Sequence, residues 1–224
     1  MTLGARTTVS KVLAAKVDRI KDYIKEMGQL AVSAIRDGVE SFARLDQELA
    51  ARVIAEDAKL DELDATIESE CIRAIAQFQP VAADVRRLGA YLKAITDLRR
   101  IGRYGYDTAL LTQRMKGLEH FKRLVKIPEM AHITIEMTQQ AIDALLNEKD
   151  EKTLKALMDQ DEVVDDAMEE LFREVLTYAI EDPRRITVAM YYTLVARYLE
   201  RAEDHAVSIG WHSHYMLTGR RRFR

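Results

Sequence analysis

Two pairs of acidic side chains stand at helical spacing in the second half of this chain: Asp161 with Asp165, and Glu200 with Asp204. Residues i and i+4 lie one turn apart on the same face of an α-helix. If the two helices are antiparallel neighbours, the four carboxylates converge. That much like charge repels and raises carboxyl pKa values, and a multivalent cation removes the conflict. Ligation by oxygen alone suits magnesium, calcium, manganese or oxidised iron better than soft metals. Any one such pair reads most simply as a solvated helix face. Two features argue for more. The first pair recurs earlier in the chain as Asp57 and Asp61. The second lies beside Ala196, Leu199, Ala202 and Ala206, a packing stripe that sets it at the edge of a core.

The recurrence is part of a longer repeat. Glu26-Met27-Gly28-Gln29-Leu30-Ala31 aligns with Glu136-Met137-Thr138-Gln139-Gln140-Ala141 at an offset of 110. Asp57-x-x-Leu60-Asp61 aligns with Asp161-x-x-Val164-Asp165 at 104, and Leu98-Arg99-Arg100 with Leu199-Glu200-Arg201 at 101. The offset shrinks between helices, as shorter connections in the second copy require. This alignment sets Arg99 and Arg103 where the second copy has Glu200 and Asp204. Guanidinium groups facing Asp57 and Asp61 form ion pairs that need no metal. The expectation is a metal-competent second copy and a salt-bridged first copy. The plainer alternative for Arg99 and Arg103 is two solvated arginines, and an anion site, for instance for phosphate, is a further one.

The elements that must hold these residues are helices. Val17, Ile20, Ile24, Met27, Ala31 and Ala34 step by three and four, as do Leu60, Leu63 and Ile67, and Val164, Met168, Leu171 and Val175. No stretch alternates with period two over a strand's length. Breaks at Gln79-Pro80, Lys116-Gly117, Ile127-Pro128 and Asp182-Pro183 predict main helices over 8–44, 48–78, 82–115, 129–147, 150–180 and 184–217, with a short connector helix over 118–126. The fold class is therefore all-α: a tandem repeat of two antiparallel three-helix bundles, elongated, with units at 1–116 and 117–224. The start of the first helix, Thr7 to Leu13, extends past its counterpart in the second unit.

Composition bounds the function. The 224 residues are 48% apolar and 32% charged, the balance of a folded water-soluble protein. A net charge of −3 leaves no global nucleic-acid footprint. The only cysteine, Cys71, sits in an apolar helical stretch and permits no intrachain disulfide, which fits a reducing cytoplasm. Residues 1–16 do not read as a signal peptide, and no apolar run reaches the length of a membrane span. The basic tail, Arg220-Arg221-Arg222-Phe223-Arg224, is read as solvated and frayed. His205, His212 and His214 are read as part of a partly exposed helix end rather than as metal ligands.

The tandem three-helix pattern, the turn Gln77-Phe78-Gln79-Pro80-x-x-x-Asp84-x-Arg86, the segment Ala196-Arg197-Tyr198-Leu199-Glu200-Arg201-x-x-Asp204-His205-Ala206 and the closing Tyr215-Met216-Leu217-Thr218-Gly219 together resemble the PhoU family. The resemblance runs from about residue 15 to 219, and the segment around Glu200 is its most specific part. It implies a non-enzymatic cytoplasmic regulator, peripheral to the membrane through its partners. Such a regulator restrains the phosphate-specific ABC transporter, acting with its ATPase, and keeps a sensor histidine kinase from starting the phosphate-starvation response when phosphate is plentiful. It also implies dimers, no nucleic-acid partner, and a metal ion or multinuclear cluster, of iron or of magnesium, manganese, calcium or zinc. Its ligands come from Glu/Asp-x-x-x-Asp motifs and map onto Asp161, Asp165, Glu200 and Asp204. The first copy keeps Asp57 and Asp61 but departs from the motif at Arg99 and Arg103. Glu203 stands where the family commonly has Gly, as Gly102 does in the first copy, and either adds a ligand or faces water.

Two other classes compete. A ferritin-like di-iron carboxylate protein needs Glu-x-x-His on two helices. Glu129-x-x-His132 is the single occurrence, which argues against it. A metal-free helical adaptor would share the fold but leave the carboxylates as surface charge. No Gly-rich phosphate loop and no Ser/His/Asp or Cys/His arrangement suggests nucleophilic catalysis.

Overall fold

Among the described residues the chain folds as six α-helices: α1 (Leu3–Arg44), α2 (Gln47–Phe78), α3 (Ala82–Arg114), α4 (Lys126–Asn147), α5 (Glu151–Glu181) and α6 (Ile186–Thr218). A 3-10 turn, Pro183–Arg185, precedes α6. The computed structural model describes residues 3–147 and 151–220, and side chains within 11–147 and 152–220. No strand occurs among the described residues. Arg221 to Arg224 of the basic tail, and residue 150 at the expected start of the fifth helix, lie outside them.

Local chemistry explains the helix ends. Asp46 caps α2, its carboxylate accepting from the backbone N–H groups of Glu48 and Leu49 at 3.0 and 2.9 Å. Gln79 closes α2 in a left-handed conformation (φ 44°) just before Pro80, which cannot continue a helix. Gly219 does the same for α6 at φ 71°, where a side chain would be strained. Asp182 caps the 3-10 turn by accepting from the Arg184 N–H. The joins between α1, α2 and α3 are short, so these helices run antiparallel. At about 1.5 Å per residue α2 spans about 48 Å.

Helices α1, α2 and α3 pack on one another, as do α4, α5 and α6, and the two sets meet where α3 lies against α6 and α1 against α4. One continuous core therefore runs through both halves, from Ile20 and Ile24 through Leu98 and Ile101 to Leu199 and Ile209. The backbones of α1 and α3 approach closely at Gly38 and Gly105. A Cβ on either would collide with the other helix's backbone, so glycine is required there. No helix among the described residues is long and apolar enough to cross a membrane. Phe172, Leu176, Ile180, Ile186 and Met190 form an exposed apolar stripe on α5 and α6.

The connector departs from expectation. Residues 118–125 form no helix, and α4 begins at Lys126, before Pro128 rather than after it. Proline fits the first turn, where backbone N–H groups have no intrahelical acceptor. The connector instead spends its side chains across the two halves. One ring nitrogen of His120 bonds the Phe42 carbonyl at 3.0 Å and the other the Tyr192 hydroxyl at 2.9 Å. Phe121 packs against Tyr178 and Tyr192.

Candidate functional site

Helices α5 and α6 bring the acidic residues together, but not as two symmetrical pairs. Carboxylate oxygens of Asp161, Glu203 and Asp204 all lie within 4.8 Å of one another. Asp161 is half-buried, Asp204 is exposed on the outer side, and Glu203 is only 1% exposed. Consecutive helix residues are about 100° apart, so Glu203 reaches the cluster from the core side and Asp204 from the solvent side. The stripe Ala196, Leu199, Ala202 and Ala206 is fully buried, as the pattern predicts.

The charges are poorly compensated. Burial, a hydrogen bond with Asp161 and the neighbouring charges of Asp161, Asp204 and Asp165 push the Glu203 carboxyl up to about 10. Its Oε2 is buried without a hydrogen-bond partner. Asp165, more exposed, is raised by desolvation and then by Asp161 and Asp204. Glu200 is raised chiefly by burial and more weakly by Asp204 and Asp165, while Arg197 opposes the shift. The Glu200 Oε1 accepts from Arg197 Nη1 at 2.6 Å. Arg201 lies 3.8 Å from Glu200 and 3.9 Å from Asp204. Of the four residues expected to converge, Asp161 and Asp204 form the centre. Glu200 and Asp165 flank it, and Glu203 takes the inner position.

The equivalent place in the first half has the opposite chemistry. Arg99 bonds Asp61, and Arg103 Nη1 bonds Asp57 Oδ2 at 2.9 Å. Arg103 also lies 3.4 Å from Asp107 and covers the Tyr106 ring at 4.2 Å. Gly102 is covered by Leu60, whose Cδ1 sits where a Cβ would go. In the second half the residues aligned with Leu60 and Gly102 are Val164 and Glu203.

The donor set fits a hard cation. It offers only oxygen, three oxygens lie close enough to share one ion, and one buried oxygen lacks a partner. Asp161 and Asp204 would hold it, with Asp165 and Glu200 alongside. The other candidate from the pattern, Glu129-x-x-His132, lies exposed on α4, where His132 meets Glu136 at 3.3 Å. Burial pushes the Cys71 thiol up to about 12, far from a reactive thiolate.

A polar cluster that motif reading passes over lies between the two halves. His205 Nδ1 donates to Asp97 Oδ1 at 2.8 Å and His212 Nε2 to Asp97 Oδ2 at 3.1 Å. A carboxylate only accepts, so both nitrogens carry the proton. Burial pushes the Asp97 carboxyl up, but the bonds from His205 and His212 outweigh it and hold the group below its ordinary value. His205 and His212 are tied into the α3–α6 seam and stay partly exposed, as expected of this helix end, whereas His214 is buried, which corrects the expectation for that residue. The signal was present: His205 and His212 are seven apart and share a helix face. The repeat offset of 101 pairs Asp97 with Tyr198 and His205 with Tyr104, and those two tyrosines stack at 5.8 Å. One seam therefore holds a carboxylate–imidazole contact and, at its symmetry-related place, an aromatic one.

Comparison with known proteins agrees with this architecture. The family model described as the PhoU domain matches twice, over residues 24–112 and 127–210. The chain is 33% identical to the phosphate-specific transport system accessory protein PhoU homolog of Rhizobium meliloti over 197 residues, 88% of this chain and 83% of that one. It is 33% identical to the protein of the same description from Aquifex aeolicus over 84% of this chain and 85% of the relative. Among solved structures, PhoU from Pseudomonas aeruginosa superimposes with a TM-score of 0.88 at 28% identity, covering 92% of this chain and 99% of that one. The phosphate transport system regulatory protein PhoU from Streptococcus pneumoniae shares the fold, with a TM-score of 0.85 at 20% identity, covering 95% and 100% of the two chains.

Proposed function

This chain belongs to the PhoU family, and on that premise we propose that it is a non-enzymatic accessory regulator of phosphate uptake. It restrains the phosphate-specific ABC transporter and holds phosphate-starvation sensor-kinase signalling off while phosphate is plentiful. The observation that carries this reading is the double match, which spans most of the chain and brings relatives described as accessory proteins of the phosphate-specific transport system. Its partners are the transporter ATPase and the sensor histidine kinase, at the cytoplasmic face of the membrane, and it works as a dimer without nucleic acid. The repeat divides it into units 1–116 and 117–224.

The second unit holds a hard cation on the carboxylates of α5 and α6, with Asp161, Asp165, Glu200 and Asp204 as its acidic set. When bound, the cation supplies the positive charge that lets these side chains sit together. The first unit replaces that charge with Arg99 and Arg103, so Asp57 and Asp61 hold no metal. What supports this is the exchange of arginine for carboxylate at equivalent positions.

Co-purification tests the partner reading. The tagged chain, expressed in its host, is expected to retain the transporter ATPase or the sensor kinase; retention of neither overturns it. Elemental analysis of protein purified without chelator tests the metal reading. Metal is expected in the native chain and in Arg99→Ala but lost from Asp161→Asn. Full metal content in Asp161→Asn overturns that assignment.

A further inference from the structure

We infer that Glu203 is an inner metal ligand that closes the α5–α6 site from the protein interior around one hard, oxygen-seeking cation. This rests on the metal reading above and adds a residue to it.

The argument starts from packing. In the first half Leu60 fills the space over Gly102, and a side chain at Gly102 would displace it. In the second half Val164, one carbon shorter, replaces Leu60 and Glu203 replaces Gly102. The two changes go together: the shorter Val164 lacks the methyl that in the first half stands where a Cβ on Gly102 would go. Val164 is fully buried and Glu203 is 1% exposed, so the carboxyl occupies core space rather than reaching out to water.

A carboxyl is an expensive core filler. Burying a polar group costs free energy unless each polar atom finds a partner. One side of the Glu203 carboxyl is engaged with Asp161, while its Oε2 has no partner and lies among further acidic groups. No arginine or lysine is ion-paired with it among the described residues, although Arg197 and Arg201 serve Glu200 and Asp204 nearby. The first half fills the equivalent place with a leucine over a glycine and carries no such cost. A cation shared by Asp161, Glu203 and Asp204 removes the conflict. It satisfies the orphaned oxygen, balances the charge, and uses a set of oxygens already within 4.8 Å of one another. With one ligand from the core side and one from the solvent side, the three oxygens enclose a single ion.

The test uses the full-length protein, stripped of metal and titrated with Mn²⁺, with free Mn²⁺ followed by electron paramagnetic resonance. The native chain is expected to bind one Mn²⁺. Replacing an outer partner of a metal ligand typically weakens binding about 10- to 100-fold, and Glu203→Gln, which removes a ligand, is expected to weaken Mn²⁺ binding at least about tenfold. The double variant Val164→Leu/Glu203→Gly restores the packing of the first half. It keeps the result interpretable if the glutamine variant folds poorly, and the same loss is expected. Binding by both variants within about twofold of native would overturn the role of Glu203 and leave the metal reading standing. Native protein that binds no Mn²⁺ would overturn both, and binding of two or more ions with equal affinity would overturn the single-ion geometry.

Discussion

At the scale of single residues, Glu203 should dominate the pH behaviour of the metal-free protein. Its carboxyl is raised from 4.5 to about 10 in the fold, chiefly by burial. Between these values the folded chain holds a proton that the unfolded chain releases. The contribution of this group to stability is therefore fullest below about pH 4.5 and is lost as pH rises toward 10, by at most about 1.4 kcal/mol per pH unit for one proton. Thermal melts of chelated protein from pH 5 to 9 should show Tm falling for the native chain and a flatter profile for Glu203→Gln. An equal slope in both contradicts the assignment. Asp97 offers a second test. Asp97→Ala leaves two half-buried histidine donors without their acceptor, and should cost about 1–3 kcal/mol in denaturant unfolding. A cost near zero would mean that the seam does not depend on this contact. The i,i+4 spacing marks both carboxylate pairs, and the repeat marks Asp161 and Asp165 through Asp57 and Asp61. Glu203 was harder to weigh, because its burial depends on Val164, a neighbour on another helix.

At the scale of elements, the helices were legible because period and breaker residues coincide. The Asp-Pro and Gln-Pro junctions stop the chain where the apolar stripe also ends. Residues 118–125 were not legible, because the contacts of His120 with Phe42 and Tyr192 are long-range and outweigh a weak local helical preference. The same holds for Asp97, whose partners lie on α6. Gly38 and Gly105 carry a sharper expectation. Gly105→Ala would drive a methyl into the α1 backbone at Ala34 and Ile35, and should cost about 1–3 kcal/mol or more. An unchanged unfolding midpoint would show that α1 and α3 can separate at little cost. The arginine pair on α3 can be tested by exchange. Arg99→Glu with Arg103→Asp copies the acidic residues of α6 onto the first unit. That variant should be less stable without metal and recover with added Mn²⁺, as read by thermal melts. No recovery would mean that the first unit lacks more than the right charges.

At the scale of the whole molecule, the two halves share a fold and a continuous core but not an electrostatic solution. One half closes its acidic face with guanidinium groups. The other leaves its carboxylates uncompensated, and on our reading a cation completes it. The seam between them is held by Asp97 with His205 and His212 and by the Tyr104–Tyr198 stack, and it joins a half with paired acidic groups to one whose acidic groups are poorly compensated. A regulator built this way has an asymmetric surface to offer to the partners proposed above. The most direct measurement of that function is expression of phosphate-scavenging genes in the host, grown in phosphate-rich medium, with and without the gene for this chain. The account predicts that deletion turns those genes on and that the native gene supplied in trans turns them off again. Unchanged expression on deletion would contradict it.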